Sequence, residues 1–211
     1  MILSFLKAVF FFVMEILETI VFIGSLFIVL YLFIAQPNQV KGVSMDYTFA
    51  SGDYIFTSKV TYKFRKPERG DVVVLHSPKN YDIEYIKRII GLPGDTITIT
   101  DQEVYVNDRL LEEPYIAAKS VLWENGFTKN GVPFKVPEGY VYIMGDNRPR
   151  SSDSREFGPI PIDSIIGQVF YRYLPPQHAG EIKNPIPKDF RSDAAIESIQ
   201  NSGVYKASAA F

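Results

Sequence analysis

A chain of 211 residues has room for one ordinary domain plus an appendage, and a formal net charge of −2, with acidic and basic residues interspersed, offers no field to recruit nucleic acid. The absence of cysteine removes a disulfide framework, a cysteine nucleophile and thiolate metal sites. His76 and His178 lie far apart and belong to no ligand-spaced pair, so neither a metal nor another cofactor is expected.

The first element is the run from Ala8 to Ala35, apolar almost throughout and interrupted by Glu15 and Glu18. Its 28 residues would make a helix of about 42 Å, enough to cross a hydrocarbon core of about 30 Å once and not twice. Glutamates at the bilayer centre would cost several kcal/mol. They are therefore placed at the N-terminal interface: residues 1–18 form an interfacial segment, 19–36 cross the lipid, and Gln36 and Pro37 end the helix. A cleavable signal sequence has a shorter apolar core and ends at small residues. Ala35-Gln36-Pro37 does not fit that pattern, which points to an uncleaved anchor. Lys7 and the amino terminus nearly balance Lys41, so charge leaves the orientation open.

Beyond Asn38 short apolar runs alternate with turn residues. Tyr54-Ile55-Phe56, Val72 to Leu75, Thr96 to Thr100, Val104 to Val106, Tyr140 to Met144 and Gln168 to Tyr171 read as strands. Ser51-Gly52-Asp53, Arg69-Gly70-Asp71, Leu92-Pro93-Gly94-Asp95 and Pro137-Glu138-Gly139 separate them as turns. The strict alternation from Thr96 to Val106 predicts a hairpin through Asp101-Gln102. Residues 37–174 are thus expected to form a mostly β domain, a coiled antiparallel sheet of barrel-like shape. From 175 onward Pro175-Pro176, Pro185 and Pro187 punctuate a polar segment that predicts a partly disordered tail, mildly helical after Ser192.

Three places hold polar groups able to do chemistry. Ser44, in Gly42-Val43-Ser44-Met45, is a possible nucleophile, although a loop serine is as readily a solvated or capping residue. In the run Tyr85 to Asp95, strand alternation puts Lys87 on one face with Ile89 and sends Ile86 and Arg88 to the other. Desolvation there would lower its pKa from about 10.4 toward about 7–8, some 4 kcal/mol of differential solvation, as a lysine base requires. The alternative is a lysine that reaches solvent at the sheet edge. The loop Gly145 to Arg155 is denser in polar residues than a turn needs, and its composition fits a surface loop, a cation site or a support for a catalytic pair.

Taken in order, the apolar segment, Gly-x-Ser-Met, Gly-Asp-x-Ile, Arg-Gly-Asp-Val-Val-Val, Tyr-Ile-Lys-Arg-Ile-Ile-Gly-Leu-Pro-Gly-Asp and Gly-Asp-Asn-Arg…Ser-x-Asp-Ser-Arg resemble the bacterial type I signal peptidases, from about Ile20 to Tyr173. The resemblance implies the β-fold shared with self-cleaving repressors of the LexA type, a cytoplasmic N terminus, and a catalytic domain on the outer face of the bacterial plasma membrane that acts on exported preproteins. It implies Ser44 as nucleophile and Lys87 as general base, with Ser151 hydrogen-bonded to Lys87. Asp153 would pair with Arg88, Asp146 and Arg155 would brace the same loop, and Ser154 would support it. The Ser44 N–H would hold the oxyanion. Val40, Met45, Phe49, Tyr85 and Ile86 would line small pockets for alanine-sized groups at the first and third positions before the cut, beside strands carrying Ser44 and Lys87.

Two positions depart from the family pattern. Gly42 stands where some relatives have a serine that adds an oxyanion donor, and Tyr47 replaces a proline three residues after the nucleophile. These departures give some weight to an inactive paralogue that binds exported chains. A self-cleaving protease of the same fold is the other rival, its scissile site being Ala207-Ser208-Ala209. Composition says nothing of oligomeric state.

Overall fold

The structure is a computed structural model that describes residues 2–33, 35–187 and 190. Helix α1 (Ile2–Phe33) leaves its described apolar side chains exposed, and Ser4–Val29 is long and apolar enough to cross a membrane. Two of its hydroxyls are satisfied within the helix: Thr19 Oγ1 donates to Glu15 O and Ser25 Oγ to Phe22 O, both at 2.8 Å. The helix runs through both the interfacial segment and the expected span and stops before Gln36. Instead, Gln36 and Pro37 belong to strand β1 (Ala35–Gln39), an edge strand that pairs only with β2 (Tyr54–Ser58). Proline disfavours helix in the residue before it and is tolerated at a sheet edge, so the chain leaves the helix early.

The larger sheet adds β3 (Val72–His76), β4 (Glu84–Gly91), β9 (Tyr140–Met144), β10 (Ile160–Pro161), β11 (Ile165–Leu174) and β12 (Gly180–Glu181). Its order is β1-β2-β11-β3-β4-β9-β10, with β12 beside β11 and every pairing antiparallel. Register shifts in β11 and between Ile89 and Gly91 curl it into a half-barrel. Antiparallel alternation places the starts of β1, β4 and β11 at one end with the ends of β2 and β3. This foot of the sheet is where the chain arrives from α1.

The smaller sheet, ordered β7-β6-β5-β8, comprises β5 (Thr96–Thr100), β6 (Glu103–Val106), β7 (Arg109–Leu110) and β8 (Phe134–Lys135). Asp101 and Gln102, at φ 52° and 69°, make the expected hairpin turn. Ile97, Ile99, Val104 and Val106 point inward to a core shared with Ile90, Tyr142 and Met144.

Part of the segment after 174, expected as a partly disordered tail, packs on the two sheets. β12 pairs with β11, while Ile186 (0% exposed) and Phe190 (8%) join the core of the smaller sheet. Arg69 Nε donates to Phe190 O at 2.7 Å, and the Arg69 and Arg109 guanidinium groups lie 5.1 and 4.4 Å from the Phe190 ring. Ile186 in the apolar core, and Phe190 against the buried Arg69 and the half-buried Arg109, order a stretch that is polar on average. The helical tendency after Ser192 and the Ala207-Ser208-Ala209 site lie outside the described residues.

Candidate active site

Ser44 sits on a turn rather than a strand. Asp46 N–H donates to Val43 O, and the Thr48 and Phe49 N–H groups donate to Met45 O. The polar loop after β9 holds this turn in place: Asn147 N–H donates to Ser44 O at 3.0 Å and Asn147 Nδ2 to Val43 O at 2.9 Å. Between loop and turn lies Gly145, where a Cβ would collide with the Ser44 carbonyl and with Ser151 Oγ, so only glycine fits. Among the described residues no acceptor takes the Ser44 N–H.

Lys87 comes from β4, opposite Val73 of β3, and is 3% exposed. Its Nζ lies 2.7 Å from Ser44 Oγ and donates to Ile86 O at 3.0 Å, with the Tyr85 ring centroid 4.9 Å away. Burial is the largest influence on the amine and pushes its pKa down to about 8, against an upward pull from the Asp153 and Asp146 carboxylates.

Beneath this pair stand two buried guanidinium–carboxylate forks, exchanged relative to expectation. Arg88 binds Asp146 (Nε–Oδ1 2.9 Å, Nη2–Oδ2 2.6 Å), and Arg155 binds Asp153 (Nε–Oδ1 2.8 Å, Nη2–Oδ2 2.7 Å). The cause is local. Arg88 pairs across the ladder with Met144, two residues from Asp146, while Asp153 caps the short helix α3 (Ser154–Phe157) and accepts the Arg155 N–H. Burial alone would raise the Asp153 pKa, but Arg155 and the Gly145 N–H bring it below the usual carboxylate value. Thr48 Oγ1 donates to Asp146 Oδ2, tying the Ser44 turn to the first fork.

Ser151 also departs from expectation. Its Oγ is buried beside Asp153, and among the described residues it has no hydrogen-bond partner, Lys87 included. Ser154 Oγ accepts the Ile143 N–H at 2.9 Å, a supporting role as expected.

A groove of about 590 Å³ leads from the foot of the sheet toward the Ser44–Lys87 pair, between β1 and the first half of β4. Val40, Tyr85 and Ile86 line it, as expected; Gly42, Met45 and Phe49 do not. Met45 (1% exposed) and Phe49 (0%) pack with Val40, Ile55 and Val74 into the core underneath, and Gly42 is exposed beside the turn with φ +95°. Pro37, Asn38, Asp82, Ile83 and Glu84 line it too, with Ile55 and Val74 at its floor, and Asn38 Nδ2 donates to Glu84 Oε2 at 3.1 Å. Sequence reasoning missed these groove residues, which have no local signature. Gly145 and Asn147 were visible in the polar box, but nothing in their spacing assigned them a contact.

A family model described as signal peptidase, peptidase S26, matches residues 13–174. The chain belongs to that family. It is accordingly a peptidase of the signal peptidase I type. It is 37% identical over 153 residues to a probable signal peptidase I-2 of Synechocystis, covering 70% of this chain and 67% of that one. It is 37% identical over 175 residues to signal peptidase IB of Staphylococcus aureus (76% and 91%). It is 34% identical over 159 residues to thylakoidal processing peptidase 1 of Arabidopsis thaliana (70% and 44%). The exposed apolar α1 of this signal peptidase fits a membrane anchor. Its Tyr47, at φ +85°, adopts a backbone that a proline at this position could not.

Proposed function

We propose that this signal peptidase cuts signal peptides from exported preproteins after a small-x-small site, with Ser44 as nucleophile and Lys87 as general base. The observation that carries the reading is the 2.7 Å approach of a buried lysine amine, its pKa pushed down to about 8 by burial, to a serine hydroxyl, next to a groove that ends at Ile86, the neighbour of that lysine. In its neutral form the amine accepts the Ser44 O–H proton as Oγ adds to the scissile carbonyl. The oxyanion meets the Ser44 N–H. Collapse breaks the C–N bond, the lysine proton passes to the leaving amine, and an acyl-enzyme remains. Water, deprotonated by the neutral lysine, then releases the acid and restores Ser44. The two ion-pair forks hold the turn and the lysine strand in register.

Groove geometry supports the substrate class. β1 has a free edge toward the groove, and so does the first half of β4, since β9 pairs with β4 only from Arg88. An extended chain between these edges needs about 10 Å, or three residues, to pass from Glu84 to the level of Lys87. Val40, Ile55, Val74 and Ile86 leave an apolar lining suited to small side chains. With α1 spanning the bilayer, N terminus cytoplasmic, a preprotein held by its own apolar segment would enter the groove at its foot, on the outer face.

The test is cleavage, in detergent, of a preprotein carrying an Ala-x-Ala site. The full-length chain should cut it, and Ser44→Ala and Lys87→Ala should each remove activity while circular dichroism shows the fold intact. Full activity in Lys87→Ala sinks the dyad, and an inert wild type favours a binding paralogue.

A further inference from the structure

The turn that carries Ser44 ends in strain. Tyr47 holds φ +85°, a backbone that a side chain disfavours, and its ring, 68% exposed, has little packing to fix it there. A residue other than glycine keeps such a conformation only where its neighbours over-determine it. On the near side Asn147 holds the Val43 and Ser44 carbonyls. On the far side Thr48 is held twice: its hydroxyl donates to Asp146, and its carbonyl accepts from Arg172 Nη1 at 2.8 Å.

Arg172 lies outside the ordered motifs, in the second half of β11. That strand is a firm support. The Arg172 backbone pairs with Ile55 of β2 on one side and Gly180 of β12 on the other, and the short helix α2 (Thr61–Phe64) packs on the same strand. An ordinary ion pair would need only the contact of Nη1 with Asp53 Oδ2, at 2.9 Å, and would contribute little by itself. The guanidinium does more. Its Nε donates to His178 O at 2.7 Å, its carbon lies 5.7 Å from the Phe49 ring centroid, and Asp53, 3% exposed, also accepts the Ala50 N–H. The planar fork thus joins the sheet and the segment after 174 to the last carbonyl of the strained turn.

We infer that Arg172 is a positioning residue for the nucleophile: it holds the Thr48 carbonyl against the strain at Tyr47 and so keeps Ser44 Oγ beside Lys87 Nζ. The inference rests on the reading of Ser44 as nucleophile. Without the guanidinium, Tyr47 relaxes toward negative φ and the turn carries Oγ out of its 2.7 Å contact, while the groove between β1 and β4 keeps its walls.

The test is steady-state cleavage of the Ala-x-Ala preprotein by the full-length chain in detergent, with circular dichroism as the check on folding. Arg172→Met should lower kcat about 10–100-fold, the scale of a misplacement of about 1 Å, and change KM less than about two-fold. Its pH midpoint should stay near 8, because the charges that bear most on Lys87 are those of Asp153, Asp146 and Arg155. Adding Tyr47→Gly, which removes the strain, should recover most of the lost kcat, a gain that a merely structural pair with Asp53 does not give. If Arg172→Met does not fold, Arg172→Lys is read in its place. It keeps the charge against Asp53, but one nitrogen cannot hold Thr48 O and His178 O together, and kcat should fall about ten-fold. Wild-type kcat in the folded variant, a loss carried by KM, or no recovery with Tyr47→Gly overturns the inference. Undiminished cleavage by Ser44→Ala overturns instead the nucleophile reading beneath it.

Discussion

In the smaller sheet Ile97, Ile99, Val104 and Val106 face the core while threonine, glutamate and tyrosine alternate outward, so the inward faces of β5 and β6 are wholly apolar. In the larger sheet β4 buries Lys87 and Arg88, and Arg148 and Arg155 in the loop after β9, with Arg69 at the junction of the two sheets, are as fully enclosed as any leucine among the described residues. Each of these four guanidinium groups faces a carboxylate: Asp95, Asp146, Glu113 and Asp153 serve Arg69, Arg88, Arg148 and Arg155 in turn. Such pairs add little net stability because both partners are desolvated, but breaking one strands a buried charge. The apolar sheet supplies cohesion, and the charged one uses it to hold an amine in surroundings that favour its neutral form.

The sharpest way to break this contrast is to remove one carboxylate. Asp146→Ala or Asp153→Ala should cost about 3–5 kcal/mol in denaturant unfolding and abolish cleavage, since each leaves a buried arginine unpaired beneath the Ser44 turn. Ile97→Ala should cost about 2–5 kcal/mol through the cavity it opens, yet leave the pH profile of cleavage unmoved. A shifted midpoint in that variant would show that the two sheets are not separable in function.

Lys87 itself gives the next effect, in the opposite direction. Its pKa falls from an ordinary 10.5 to about 8 in the folded protein. Below pH 8 the folded state therefore bears the whole cost of a buried ammonium, about 3 kcal/mol, and that cost fades as pH rises from 8 to 10.5, where the unfolded chain also loses its proton. Lys87→Met should be inactive but more stable than wild type at pH 7, the two converging above pH 10.5 in thermal melts. For the same reason the wild-type cleavage rate should climb with pH and level off above a midpoint near 8. A midpoint near that of free lysine would place the amine in water.

The smallest effect belongs to Tyr47. Its φ of +85° suits glycine, so Tyr47→Gly should gain about 1 kcal/mol, while Tyr47→Pro, locked at negative φ, should lose more than that. Melting temperatures measure both.

Much of the scaffold was legible from neighbouring residues. Composition alone marks α1, and period-two alternation with paired turn residues marks the β5–β6 hairpin, because both signals depend on which faces of a local element meet water or lipid. The ends of elements were less so: Pro37 was read as a helix stop when it sits within an edge strand, and Ile186 and Phe190 were lost in a segment whose average polarity hides two core residues. Within the site, Ser44 and Lys87 were named from ordered motifs, while their partners were mistaken. Arg88 takes Asp146 because β4 and β9 are neighbours, and Asp153 turns back on Arg155 because it caps α3.

By itself, then, the sequence determined an apolar N-terminal helix, an antiparallel β domain, and a serine and a lysine worth testing. Only the tertiary structure decided that Ser44 Oγ and Lys87 Nζ meet at 2.7 Å across 43 residues of chain, which carboxylate neutralises which arginine, and which residues wall the groove. The physical reason is range. Hydrophobic periodicity is written in residues a few positions apart, whereas desolvation of an amine and the choice of its charged neighbours depend on what the whole folded chain brings within a few ångströms.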